Sequence, residues 1–306
     1  MGNNMNRFTK FTCGVLAWAV LDILWGALVR ATGSGAGCGG HWPSCQGQII
    51  PVLQSAQTII EFTHRVLSGT ALLLVLTLLI WGWRTYPKGH PVRIGLVGSA
   101  VFILTEALLG AGLVLFQLVA GNASVFRAVA ISLHLLNTFI LLAFLTLTVW
   151  WASGGKAISL KNKGRLPVLF AIGLVGVAII GMTGAITALG DTLLPAKSLA
   201  EGLMDDFEPN ANFLLQLRAY HPIIAILVGV YLLSLARYLY GRFNEKFIRR
   251  FSLILSGLIL IQASAGVVNI LLLAPIWMQL VHLFLADSVW ISCILLLAAT
   301  LSVERE

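Results

Sequence analysis

Four of the six histidines in this 306-residue chain, His64, His134, His221 and His282, stand inside long apolar stretches. Ionisable groups in hydrocarbon are costly, and where they occur they mark ligand sites or proton paths. Each of the four falls roughly six to nine residues after the start of its stretch, a rise of ~9–13 Å along a helix. Four unrelated core histidines have no reason to share one depth. For any single one the competing reading is a hydrogen-bonded core residue, and the two-fold recurrence favours paired ligands. Two imidazoles facing each other across a helical bundle, with small residues making room for a flat group, is how a protein holds a haem iron by two axial histidines. Zinc or copper would bring further Cys, His or carboxylate ligands into the same neighbourhood. The chain has no CxxCH motif, so a haem would be held non-covalently.

The position three before the histidine differs between the halves: Glu61 precedes His64, and Arg218 precedes His221. Such a residue lies one turn outward and about 60° round from the ligand. An arginine there suits a resident haem whose propionate it holds. A glutamate there is poorly suited to holding an anion, yet it can accept a proton or stabilise developing positive charge. The competing role for Glu61 is an ion pair with Arg65, four residues on. Arg65 itself follows His64 directly, and Arg127 lies seven residues before His134 on nearly the same helical face. With Arg218 these are the candidate propionate partners, and snorkelling to the interface is the alternative for each. Asp22, Glu106 and Asp287 read as structural hydrogen-bonding groups, and His90 as a solvated loop residue.

Eight apolar runs must position these groups, near residues 11–30, 58–83, 94–119, 127–151, 166–188, 213–238, 250–272 and 277–301. Each is long enough for a hydrocarbon core of ~30 Å, and in lipid an isolated segment satisfies its backbone only as a helix. The composition agrees: 58% of residues are hydrophobic, 10% are charged and the mean hydropathy is +0.91. The expected fold is therefore an all-α integral membrane protein of eight transmembrane helices. The first run lacks a small-residue cleavage site and reads as a retained helix. Of the 20 Lys and Arg, only Arg30, Arg65, Arg127, Lys197 and Arg218 fall on the side of the loops after runs one, three, five and seven. Basic residues stay inside, which places both termini in the cytoplasm and the four histidines towards the exoplasmic face of the membrane. The net charge of +8 is then topology, and nucleic acid is not an expected partner.

The chain reads as a repeat. Gly181–Gly190 is similar to Trp25–Gly33, Gln262–Gly266 matches Glu106–Gly110, and His221 and His282 fall where the first half predicts them. A basic, Gly-containing stretch over 153–165 divides an N-terminal four-helix unit (1–152) from a C-terminal one (166–306). After the first helix comes a loop dense in glycine from Thr32 to Gly47, in which Cys38 and Cys45 enclose six residues. On an oxidising side a disulfide fits, with a free pair or a metal site as alternatives. Cys13 and Cys293 read as packing residues. The loop from Asp191 to Asn212 is acidic and reads as solvated, with a docking surface for an electron donor or other partner as the alternative.

The segments Gly35-Ala-Gly-Cys38-Gly-Gly-His41-Trp42-Pro43-Ser-Cys45-Gln-Gly47 and Ile60-Glu61-Phe-Thr-His64-Arg65 resemble the two signature stretches of the haem A synthase (Cox15-like) family. The resemblance runs through all eight helices and both histidine pairs. It implies two pseudo-symmetric four-helix bundles, and oxidation of the C8 methyl of haem O to the formyl group of haem A by two hydroxylations and loss of water. It further implies that His64 and His134 bracket the substrate haem O, that His221 and His282 ligate a resident haem b, that Glu61 is catalytic, and that Cys38 and Cys45 form a disulfide. The expected partners are haem O and the lipid bilayer, with a haem O synthase, an electron donor and a homo-oligomer as further candidates. Some bacterial members carry a second cysteine pair in the loop after the fifth helix; this chain has none there. From the residues alone, a dihaem b-type electron-transfer cytochrome and a haem exporter or chaperone are the rival readings. A transmembrane wire would stagger its haems across the bilayer, which the shared depth of the histidines disfavours.

Overall fold

A computed structural model describes residues 6–303. Arg305, one of the basic residues of the terminal side, lies outside them. Among the described residues the regular structure is helical: α1 (Arg7–Ala31), a 3₁₀ turn (Ser34–Ala36), α2 (Ala56–Thr85), α3 (Pro91–Leu115), α4 (Val125–Ala152), α5 (Leu166–Leu193), α6 (Leu199–Phe207), α7 (Phe213–Arg218), α8 (Tyr220–Arg242), α9 (Lys246–Leu271) and α10 (Ile276–Leu301). Among the described residues eight spans are long and apolar enough to cross a membrane, α7 and α8 together forming the sixth. Their starts are capped as the sequence allows. Asn6, Ser55 and Ser124 each accept a backbone N–H from the first turn.

Two of the expected runs and one loop differ from expectation for local reasons. The third helix stops at Leu115 instead of 119, because Gln117 takes a left-handed conformation (φ 54°) and Leu118 N–H closes back onto Leu113 C=O. The sixth span is broken at Ala219, just before His221. Pro222 has no N–H to give, and its ring clashes with the carbonyl four residues back, that of Arg218. The acidic loop is not unstructured: α6 and α7 lie within and after it. His90 is likewise more than a solvated residue. Its Nδ1 accepts from Val92 N–H at 3.3 Å and caps α3, while its ring packs at a tilt against Tyr86.

Helices α1 to α4 pack in sequence, with α1 also meeting α4; α5, α8, α9 and α10 do the same, with α10 meeting α5. The two sets join where α4 packs on α5 and α10 and where α1 packs on α10. At that seam Phe139 is almost fully buried and stacks on Trp290 at 4.9 Å, and the Trp290 indole donates to the Phe139 carbonyl at 2.6 Å. Outward faces carry exposed Leu73, Leu108, Ile226 and Leu227, which suit lipid chains. One glycine is required by packing at the loop. A Cβ on Gly37 would stand 2.4 Å from the Gln57 backbone, so only glycine lets the cysteine loop lie on the start of α2.

Candidate functional site

The four histidines occupy equivalent places. Each comes six to nine residues after the start of its span, on α2, α4, α8 and α10. Each ring rests against a glycine of the preceding long helix. A Cβ on Gly26 of α1 would meet His64 Cε1 at 3.0 Å, and one on Gly184 of α5 would meet His221 Cε1 at 3.0 Å. On Gly266 of α9 it would meet His282 Cε1 at 3.2 Å, and on Gly110 of α3 it would meet His134 Cε1 at 3.7 Å. The small residues noted in the sequence are thus seats for imidazoles. The His221 and His282 rings face each other with centroids 6.5 Å apart and planes at 81°.

Each imidazole also has a polar neighbour on that same preceding helix. Asp22 Oδ1 lies 3.1 Å from His64 Nδ1, off the axis of a hydrogen bond, and Glu106 Oε1 lies 3.4 Å from His134 Nε2. In the other half the neighbours are neutral: Thr183 Oγ1 at 3.1 Å from His221 Nδ1, and Gln262 Nε2 at 3.3 Å from His282 Nε2. Nδ1 of His134 and of His282 is buried without a partner. Among the described residues no three of His, Cys, Asp and Glu gather as ligands for a bare metal ion.

The rim above His64 is built by the cysteine loop. Cys38 and Cys45 form a disulfide. Glu61, only 3% exposed, binds its underside: Oε2 accepts from Cys38 N–H at 2.7 Å, and Oε1 pairs with Arg65 Nη2 at 2.5 Å. Arg65 also donates to the carbonyls of His41, at 2.6 Å, and Ser44. The ion pair and the disulfide therefore form one unit with the start of α2.

The other arginines are engaged as well. Arg218 pairs with Asp191 at 3.0 Å and Asp206 at 2.7 Å, so the loop expected to be simply solvated is pinned to α7 by its own acids. Burial pushes the Asp206 carboxyl up from its ordinary value, and the Arg218 guanidinium partly offsets this. Arg127 is 4% exposed, donates to the carbonyls of Ala120 (2.5 Å) and Asn122 (2.8 Å), and keeps its Nε without a partner. Arg30 is the residue that sequence reasoning passed over. It donates to Ala188 C=O (2.6 Å), Thr192 Oγ1 (2.8 Å) and Gln279 Oε1 (2.8 Å), joining α1 to α5 and α10 three residues before His282. Its position at the end of an apolar run was the available signal, and a partner 249 residues away was not.

The chain is also similar to known proteins. Residues 9–294 match the COX15-CtaA family, described as cytochrome oxidase assembly protein. A protein of Thermus thermophilus named protoheme IX farnesyltransferase is 47% identical over 98% of this chain, and the match covers 49% of that relative. This chain thus spans about half the length of the Thermus proteins it matches. A protein of Bacillus licheniformis named heme A synthase is 29% identical over 95% of this chain and 93% of its own. One of Shouchella clausii with the same name is 44% identical over 32% of each. The chain belongs to the COX15-CtaA family of cytochrome oxidase assembly proteins, the haem A synthase family.

Proposed function

We propose that this protein is an oxidoreductase that converts haem O to haem A, with a resident haem b as cofactor. In this reading residues 1–152 and 166–306 act as two four-helix bundles joined by 153–165. The first takes haem O between His64 and His134, and the second holds haem b between His221 and His282. The observation that carries the reading is the set of four histidines on equivalent helices, each seated on a glycine. The residues fit the cofactor. Ring centroids 6.5 Å apart leave room between His221 and His282 for one iron with two metal–nitrogen bonds of roughly 2 Å each, and the donor set lacks the extra ligands of a bare ion. Haem b would supply one-electron redox chemistry beside the substrate porphyrin.

The protein's own groups then divide the remaining work. Glu61, held one turn outward of His64, handles a proton or stabilises positive charge as the C8 methyl is oxidised in two hydroxylations and dehydrates to the formyl group. Arg65 and Arg218 already face carboxylates, so the guanidiniums we assign to porphyrin propionates are Arg127 and Arg30, whose partners are all neutral. This revises the set expected from the sequence, for charge balance. In this reading both termini are cytoplasmic, which the basic loops support. The Thermus proteins carry a sequence like this one in about half of a chain named for farnesyl transfer to protohaem. That supports a haem O synthase as the partner that hands over substrate, since a farnesylated porphyrin is best passed within the bilayer. Redox partners for the two oxidations are also required.

The farnesyltransferase name offers the second reading. Prenyl transfer from a diphosphate commonly relies on carboxylates that hold Mg²⁺ with the phosphates, and the two carboxylates that converge here, Asp191 and Asp206, are taken up by Arg218. The test uses two bacterial hosts, one that makes haem O but no haem A, and one that makes only protohaem. Expression in the first is expected to yield haem A on extraction, and expression in the second to yield no haem O. Haem O in the second host with no haem A in the first would overturn the assignment.

A further inference from the structure

The two halves differ in one layer of side chains, four residues inward of each histidine's seat. In the N-terminal half the position four before the glycine is acidic, Asp22 before Gly26 and Glu106 before Gly110. The position four after the histidine is a hydroxyl that holds that acid. Ser68 donates to Asp22 at 2.9 Å, and Thr138 donates to Glu106 at 2.6 Å, with Asn137 adding a second donor to Glu106 at 2.5 Å. In the C-terminal half the matching positions read Ile180 and Gln262 in place of the acids, and Ala225 and Ala286 in place of the hydroxyls. Both acids and both hydroxyls are therefore present at two related places and missing at the other two. Stapling of helices does not explain this, because Thr183 and Gln262 meet their histidines with neutral groups at similar distances. Retaining a carboxylate in an apolar layer is costly, and each stands as a charge beside its ring, Asp22 Oδ1 3.1 Å from His64 Nδ1 and Glu106 Oε1 3.4 Å from His134 Nε2.

From this asymmetry we infer that Asp22 and Glu106 are positioning residues that tune the N-terminal porphyrin iron through His64 and His134. The negative charge of a carboxylate beside a metal-ligating imidazole raises the basicity of that ligand. A stronger donor favours ferric over ferrous iron, so the acids lower the reduction potential in the half that holds substrate. The neutral groups behind His221 and His282 leave the other iron without that bias. The asymmetry favours electrons leaving the substrate porphyrin for its neighbour. This inference rests on the haem reading given above.

The test is a spectroelectrochemical titration of the purified holoprotein, with the same porphyrin in the N-terminal site throughout, since ring substituents also shift the iron. Asp22→Asn and Glu106→Gln are each expected to move the ferric–ferrous equilibrium of that site about tenfold towards ferrous, or ~59 mV for one electron, leaving the C-terminal site unmoved. Gln262→Glu, which adds an acid at the matching place, is expected to move the C-terminal site in the opposite sense and stands as the test if the first two variants fail to fold. His282→Met assigns the waves by shifting only the C-terminal one. Two bound haems whose potentials ignore all three substitutions would overturn this inference and leave the haem reading intact. Protein that binds no haem in either half would overturn both.

Discussion

Replacing Glu61 with Gln is expected to cut haem A output by about 100-fold or more, the usual worth of a placed proton-transfer group, while both haem sites still fill. The substitution is chosen for what it keeps. The amide oxygen can still accept from Cys38 N–H, and Arg65 retains the carbonyls of His41 and Ser44. What is lost is the charge and the ion pair at 2.5 Å. Leaving one buried donor poorly satisfied costs about 1–3 kcal/mol, enough to lower the melting temperature and not enough to empty the sites. The two effects separate by measurement: porphyrin content and melting temperature report the staple, and the ratio of haem A to haem O and its alcohol reports the chemistry. A normal haem A yield from Glu61→Gln would remove the residue from the chemistry and leave it a clamp for the disulfide loop.

The second large effect comes from the histidines taken in pairs. His221→Leu with His282→Leu is expected to remove one porphyrin per chain and abolish conversion, because no side chain nearby can replace an imidazole facing its partner at 6.5 Å. His64→Leu with His134→Leu is expected to remove the substrate porphyrin, leaving a protein that carries only haem b. Absorption spectra of each purified variant, with extraction of the pigments, check both. Loss of all porphyrin from either double variant, with folding intact, would mean that the two halves share one site.

Much of this was legible before any coordinates. Histidines in hydrocarbon are conspicuous because polarity there is expensive, and eight apolar runs separated by basic or glycine-rich loops fix the helices. The glycine seats were visible as small residues on the odd-numbered spans, though what sat in them was not. Partner choice was the weak point. Arg65 and Arg218 stood at the right sequence spacing for propionates, yet the structure gives them Glu61 and the pair Asp191 and Asp206. The Glu61–Arg65 pair was foreseeable from its i, i+4 spacing. The Arg218 cluster needed the fold of the acidic loop, and Arg30 needed helices distant in sequence. Core-facing and lipid-facing positions are both apolar in such helices, so the pattern that marks the buried face of a soluble helix is muted here.

If one chain holds two porphyrins, unlike in identity, between two pairs of histidines, its pigments must show it. The direct measurement is the pigment content of the purified protein from a haem O-producing host, with haems extracted and quantified against protein. Two porphyrins per chain are expected, one haem b and one haem O or haem A, with the low-spin spectrum of two axial imidazoles at each. A single porphyrin per chain, or haem b alone in both halves, would contradict the paired-site reading.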